Sequence, residues 1–555
     1  MESEEIIMSE EHKLVQLIKV YQTYNDKGKP IIVKILKDEE TGEKYSEILE
    51  DPKITYYMTN FDELSDDTII KKFKIPVAQI SDKKVDEFEI EYSNLYSDMV
   101  NRLPGDIKMS DIDPDRYKNY NGVNADAIQM EANMSLMQYY KHIRACKKII
   151  SDRNRKNDYF DSDTVYFGNK NLKSIHSLPV FHGTDMNLED FYIGKHYEKY
   201  PLENSKGIIT KGYFDIECYT ENYQGFPEPE KAECPVDIIG YFDDVEHIFY
   251  GYFYNNPEVS TIRDFLYKDN ELDSERITNF ANRMVQKYKD KYNINIKMNL
   301  EWFDDELELI RAFFQRVNTN RPDFISGWNI CGFDIPYLIN RVKNLIKSGK
   351  GDNYCVNDIL CDQELREKLS KHHKCTKTSG EFFSLTTDKR NQDFADKNDY
   401  YLDLSYVNWV DSLLLFANLR KIFGKRESYE LDAIVKEELD ESKEDIDPEN
   451  KGITIKNIVR KDYEHYIEYN IHDVMLLFLL EEKNNDLDQL YSVASMTETR
   501  IHKCLKKTVC LKNLARKFYK EQGYILSNNH NVKYDGSKEN SKESFRGALT
   551  PTGVL

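Results

Sequence analysis

The chain has 555 residues, too many for one hydrophobic core, so two or three domains are expected. Its 98 acidic residues outnumber 77 basic ones, for a formal charge of −21, which argues against a nucleic-acid partner gripped by overall charge but not against local basic patches. The nine cysteines form no CxxC pair and no Cys/His spacing suited to zinc, which argues against a zinc cluster and a disulfide framework and fits a reducing compartment. Met1–Glu5 is acidic and lacks a signal-peptide pattern, and no apolar run reaches the ~18 residues of a membrane span. A cytoplasmic protein with no membrane association is expected.

Residues 1 to about 205 carry short alternating stretches, such as Ile31–Leu36, and no nameable chemistry. From Gly207 the pattern sharpens. Tyr213 to Glu217 reads as a strand, followed by strands at Val236–Phe242 and Ile248–Tyr254 around the turn-like Asp243-Asp244, an antiparallel meander. Glu306 to Val317 has helical spacing, Phe324–Trp328 reads as a short buried strand, and Pro336–Ile346 as a helix. Residues 347–400 are polar and irregular, and Tyr400–Val407 alternates like a strand. Lys436–Asp447 is an acidic run expected to be a solvated loop, and Asp462–Leu480 is a helix. This order predicts a mixed α/β sheet of the ribonuclease H-like kind.

Three acidic motifs stand beside these apolar runs: Asp215-Ile216-Glu217, Asn329 through Asp334, and Tyr469 through Asp473. Alternate strand residues share a face, so Asp215 and Glu217 point the same way, about 7 Å apart, while Phe214 and Ile216 point into the other layer. Two carboxylates there repel unless a cation lies between them, although an ordinary polar strand face gives the same pattern. Asp334 sits where a strand gives way to a helix, where an N-cap is the ordinary reading. Tyr469 and Asp473, four apart, share one helix face, compatible with a buried tyrosine beside an exposed acid. His472 reads as a surface residue. The motifs are separated by 334 − 217 = 117 and 473 − 334 = 139 residues. Their conjunction supplies four carboxylates and a phenol, the side chains of two-metal phosphodiester cleavage, in which cations roughly 3.5–4 Å apart assist the attacking water and the leaving oxygen. All-oxygen ligands suit two divalent cations, Mg²⁺ or Mn²⁺. Basic patches lie at Lys141–Lys156 and Arg500–Lys520, and each is also compatible with a solvated helix face.

The three motifs, in this order, resemble the 3′→5′ proofreading exonuclease motifs of the family B DNA polymerases of T-even-type phages. The context is similar too: Gly225-Phe226-Pro227-Glu228-Pro229, Gly327-Trp328-Asn329, Phe333-Asp334-Ile335-Pro336-Tyr337 and Ser428-Tyr429-Glu430-Leu431-Asp432. The likeness covers about residues 207–480. It implies that Asp215, Glu217 and Asp473 hold one metal, that Asp215 and Asp334 hold the second, and that Tyr469 positions the water. It also implies that Phe226 stacks on bases near the frayed primer end, with Phe226 as a core residue the alternative. Asn329, Phe333, Lys503, Lys506 and Lys507 are further candidate DNA contacts, and residues 384–406 occupy the place of a strand-separating hairpin. The implied organisation is an α+β N-terminal domain over 1–206, a ribonuclease H-like exonuclease domain over 207–485, and a helical segment over 486–555 that returns to the N-terminal domain and leads towards a palm.

No DxxSLYPS, KxxxNSxYG or DTDS palm motif follows, although Phe545-Arg546-Gly547-Ala548 and Pro551-Thr552-Gly553 resemble the segment that precedes a palm. The leading expectation is therefore the N-terminal subunit of a split polymerase. Its substrate would be the single-stranded 3′ end of primer DNA, its partner a second polypeptide carrying palm, fingers and thumb, with a sliding clamp reached through that partner. A free-standing exonuclease and a non-catalytic scaffold binding single-stranded DNA are the alternatives.

Overall fold

A computed structural model describes residues 14–59, 77–79, 85–102, 181–184, 186–350, 354–372, 384–388, 393–402, 405–448 and 451–526. The basic patch at Lys141–Lys156 and the segment Phe545–Leu555 lie outside the described residues. The chain divides into two compact units. The first comprises Met1–Ile54, Glu91–Ser93 and Met186–Gln522.

Its centre is a six-stranded mixed sheet. A three-stranded antiparallel sheet precedes it: β1 (Val15–Tyr24), β2 (Pro30–Asp38) and β3 (Lys44–Glu50). The central sheet contains β4 (Lys211–Cys218), β5 (Val236–Asp243), β6 (Ile248–Tyr254), β7 (Lys297–Phe303), β8 (Phe324–Gly327) and β11 (Asn408–Asp411), in the order β7-β6-β5-β4-β8-β11. The expected meander is present, since β4, β5 and β6 pair antiparallel, while β7, β8 and β11 join in parallel. The mixed α/β architecture is that of the expected ribonuclease H-like fold.

Alternation along β4 sorts its side chains into two layers. Phe214 and Ile216 enter a core with helices α3 (Glu306–Asn320) and α4 (Asp334–Lys347). Phe214 stacks on Phe313 at 5.4 Å and meets Trp409 edge-on at 5.7 Å. Removing an aromatic ring from such a core costs about 3–5 kcal/mol, so these contacts pin the strand that carries the acids. The opposite face receives the long helix α6 (Tyr463–Asn484), buried on nearly all sides. Gly240, paired with Asp215, makes this approach possible: a Cβ there would lie 2.3 Å from the Asn470 side chain.

Residues 14–54 pack in this same unit. Asp323, at the start of β8, is fully buried between Lys37 and Lys44 at 2.7 and 2.6 Å. Breaking one partner of such a buried network leaves an uncompensated charge. The Asn408 amide donates to the Ile18 carbonyl at 2.9 Å, and Lys19 donates to the Val407 carbonyl at 2.8 Å. The boundary expected at 206 falls inside this unit, between the helix α1 (Leu188–Lys199) and β4.

Three regions differ from the sequence expectations. The irregular 347–400 stretch contains two short helices, Val356–Leu360 and Gln363–Ser370, the second capped by Asp362. The strand expected over Tyr400–Val407 is confined to β10 (Tyr400–Leu402), which pairs antiparallel with β9 (Ser384–Thr386). Four residues of the acidic run belong to α5 (Leu431–Leu439), which ends at Asp440 in the left-handed conformation.

The second unit comprises Thr55–Ile90, Asn94–Asp185 and Gly523–Leu555. Its described residues form a three-stranded sheet of Val85–Glu91, Lys53–Thr59 and Phe181–His182, and a pair in which Tyr524–Leu526 runs antiparallel to Val77–Gln79. Tyr56 packs on Phe88 at 5.4 Å and hydrogen-bonds Asp98 of the helix Leu95–Arg102. No helix among the described residues is long and apolar enough to cross a membrane.

Candidate active site

Asp215, Glu217 and Asp473 converge: each offers a carboxylate oxygen, and these oxygens lie within 4.8 Å of one another. β4 supplies the first two and α6 the third. Asp334, the first residue of α4, lines the same cleft, as does Tyr469 one turn before Asp473. The cleft has a volume of about 890 Å³ and is also lined by Phe226, Asn329, Phe333 and Trp328.

The second motif reaches the cleft through a tight turn after β8. Asn329 has a φ of 64°, and its amide fills the space that a Cβ on Gly332 would take, 2.4 Å away. Asp411 at the end of β11 holds this turn from below, accepting from the Cys331 N–H at 2.9 Å. The N-cap reading of Asp334 is excluded, because Phe333 is the capping position and Asp334 is buried. Asp473 is only 3% exposed, so the reading of an exposed acid beside a buried tyrosine is excluded too.

Burial raises every acid in the cluster, against the pull of Lys443 on Asp215, Glu217 and Asp473. The Asp215 carboxyl is pushed up to about 7, by burial first and then by Asp473. Burial, followed by the neighbouring carboxylates, holds Glu217 and Asp334 well above the usual carboxylate range. Asp473 is raised by burial against the pull of Lys443. One oxygen of Asp473, Oδ1, is buried with no hydrogen-bond partner. Clustered, partly unpaired oxygen donors suit a hard divalent cation.

Lys443 joins this cluster and was not singled out from sequence. Its ammonium lies 2.5 Å from Asp473 Oδ2 and 3.3 Å from the Tyr469 hydroxyl. Burial alone would lower its pKa, but Asp473, Tyr469 and Asp215 outweigh that and keep it raised and charged. The acidic loop is therefore not simply solvated; it delivers a cation into the cluster. A lysine inside an acidic run, downstream of Ser428-Tyr429-Glu430-Leu431-Asp432, was the available signal. The surface reading of His472 is also corrected: it is 3% exposed and bonded between Ser442 and Tyr288.

Phe226 is 74% exposed, which excludes the core reading, and its ring centroid lies 5.0 Å from that of Phe333. The pair forms an aromatic rim on the cleft. Phe226→Ala is expected to raise the KM for single-stranded DNA about five- to tenfold with little change in kcat, since base stacking is worth ~1–3 kcal/mol. Steady-state kinetics on an oligonucleotide check this, and an unchanged KM would remove the stacking role.

The carboxy-terminal basic run is divided. Arg500 is committed internally to Glu189 and to Asp190, the latter at 3.0 Å. Lys503 lies over the Tyr400 ring at 4.1 Å and donates to its hydroxyl, and Lys506 is 3.9 Å from Asp388. Lys507 begins helix α8 (Lys507–Glu521), given that α7 spans Asp486–Met496. Lys503, Lys506 and Lys507 are not among the residues lining the cleft.

The sequence profile of the DNA polymerase family B exonuclease domain matches residues 195–381. Over that stretch the chain matches a family B polymerase exonuclease domain. It is similar to the DNA-directed DNA polymerase of Escherichia phage RB69, 24% identical over 317 residues, covering 55% of this chain and 30% of that one. It is similar also to the DNA-directed DNA polymerase of Enterobacteria phage T4, 24% identical over 271 residues, covering 48% and 25%. The DNA polymerase delta catalytic subunit of Plasmodium falciparum is 27% identical over 150 residues, covering 26% and 11%. The chain thus spans less than a third of the length of these relatives. The profile includes Asp215, Glu217 and Asp334; Tyr469 and Asp473 lie beyond it, and their link to the exonuclease site rests on geometry.

Proposed function

We propose that this chain is a 3′→5′ proofreading exonuclease of viral DNA replication, working with two divalent cations on the single-stranded 3′ end of primer DNA. The observation that carries this reading is the Asp215, Glu217 and Asp473 cluster opening onto a cleft with an aromatic rim. Asp215, Glu217 and Asp473 would hold one cation, and Asp215 with Asp334 the second. When bound, the cations supply positive charge to the scissile phosphodiester and its attacking water. The Tyr469 hydroxyl, held by Lys443, orients that water, and Phe226 with Phe333 fixes the terminal bases. Direction is tested with Mg²⁺ and DNA labelled at the 5′ end. A ladder shortened one nucleotide at a time is expected, and release of the label as a mononucleotide at the outset would reverse the polarity.

We propose further that this chain works with a polypeptide carrying palm, fingers and thumb, as a split polymerase; its likeness to DNA-directed DNA polymerases supports a polymerase as the partner. Co-expressed, the two are expected to co-elute on size exclusion and to give a complex in which extension and mismatch removal are coupled. A palm-bearing polypeptide that extends primers equally well alone, while this chain elutes separately, would leave a free-standing exonuclease in place of the split enzyme.

A further inference from the structure

The loop between α5 and α6 presents Lys443 to the carboxylates, and the peptide group just before that lysine is gripped at both of its polar atoms. The Ser442 carbonyl lies 3.0 Å from His472 Nε2, and the Lys443 N–H donates to Asp432 Oδ1 at 2.8 Å. A carbonyl only accepts, so Nε2 carries the ring proton, and Nδ1 is free to accept from the Tyr288 hydroxyl 3.3 Å away. Tyr288 belongs to helix α2 (Ser274–Tyr292) and is buried, as is His472. The loop is tied down further by Glu441 to Lys291 at 2.7 Å, Glu444 to Lys287 at 2.5 Å, and the Asp445 carbonyl to His465 at 2.8 Å.

We infer that His472 and Asp432, with Tyr288 behind the imidazole, clamp the Ser442–Lys443 peptide and so position the Lys443 ammonium on Asp473 and Tyr469. This rests on the exonuclease reading above. His472 is a positioning residue, not a catalytic one, because it does not line the cleft and its ring hydrogen bonds go to the loop and to Tyr288 rather than to the carboxylates. The clamp matters because a lysine ammonium sits on a flexible four-carbon stem, so any freedom at its root is carried to its head. Fixing the peptide plane removes the backbone part of that freedom at the root of the side chain. A displacement of about 1 Å at a reacting centre can cost up to ~100-fold, so a partly loosened clamp is expected to cost about tenfold.

The test uses the full chain. His472→Phe keeps the bulk but loses both ring nitrogens; His472→Gln restores a donor. Asp432→Ala changes an exposed side chain and serves if His472→Phe fails to fold. His472→Phe is expected to lower kcat about tenfold with KM within about twofold, and His472→Gln to recover most of the loss. In a Lys443→Ala background the His472→Phe change should cost nothing more. In metal-free protein, amide hydrogen exchange across 440–447 should accelerate in His472→Phe and in Asp432→Ala. A kcat loss that persists undiminished in the Lys443→Ala background, or exchange equal to that of the wild type, overturns the clamp. Wild-type protein inactive on every DNA end, with exchange still accelerated in the variants, overturns the exonuclease reading while the clamp stands.

Discussion

Replacing Asp215 and Glu217 together by alanine is expected to lower exonuclease turnover by at least about 10³-fold, the scale of losing a preorganised electrostatic centre. The two residues supply two of the three carboxylates whose oxygens lie within 4.8 Å. What remains of that trio is Asp473 already paired with Lys443, a neutral couple with little attraction for a cation, and Asp334 loses its partner Asp215. Mn²⁺ binding followed by calorimetry should therefore vanish in the variant. In the wild type it should tighten between pH 6 and 8 and release protons, because the Asp215 carboxyl, pushed up to about 7, must lose its proton before it can ligate. Raised carboxyl pKa values mean that the folded metal-free protein holds protons that the unfolded chain has released, so these groups lower stability as pH rises from about 4 through 7. Added Mn²⁺ should therefore raise the melting temperature more at pH 8 than at pH 6. Hydrolysis and Mn²⁺ affinity undiminished in the double variant would mean that the site lies elsewhere.

How much of this was legible in sequence depends on whether local pattern or tertiary placement decides the residue. β4 to β6 were legible because period-two alternation and the Asp243-Asp244 turn are local, and α3 because Leu307, Ile310, Phe313 and Phe314 mark one face. Asp334 was ambiguous: a carboxylate at the start of a helix reads as a cap until the structure turns it into the cleft. His472 was misread because α6 is packed on almost every side, so a polar residue on it no longer signals solvent. Residues 14–54 gave no hint of packing with the exonuclease sheet, since their partners, Asp323, Val407 and Asn408, are hundreds of residues away. Lys443 was hidden for a related reason. In a run holding Glu437, Glu438, Asp440, Glu441, Glu444 and Asp445, one lysine looks like a surface counter-charge.

Lys443→Ala is expected to separate metal binding from turnover. The ammonium sits 2.5 Å from Asp473 and so occupies, with its own positive charge, the neighbourhood a cation must enter. At a few ångströms two like charges oppose each other by about 1–4 kcal/mol across the range from bulk water to a protein-surface dielectric. Removing one should leave Mn²⁺ affinity equal or tighter, at most by about 10³-fold. Turnover should move the other way. Lys443 is also 3.3 Å from the Tyr469 hydroxyl, and without it the phenol loses the partner that orients it and the site loses a fixed charge beside the reacting phosphate. A fall in kcat of about 10²-fold is expected, larger than the roughly tenfold fall for Tyr469→Phe, because the lysine supports both the phenol and the charge. Lys443→Met, close in length and without charge, should behave like the alanine variant, and Lys443→Arg should restore only part of the rate, since a planar guanidinium cannot take the place of a compact ammonium. Calorimetry with Mn²⁺ and single-turnover hydrolysis of a labelled oligonucleotide give the two readouts on the same preparations. Weakened Mn²⁺ binding with kcat retained would make Lys443 a structural counter-ion of the acidic cluster rather than a participant in hydrolysis.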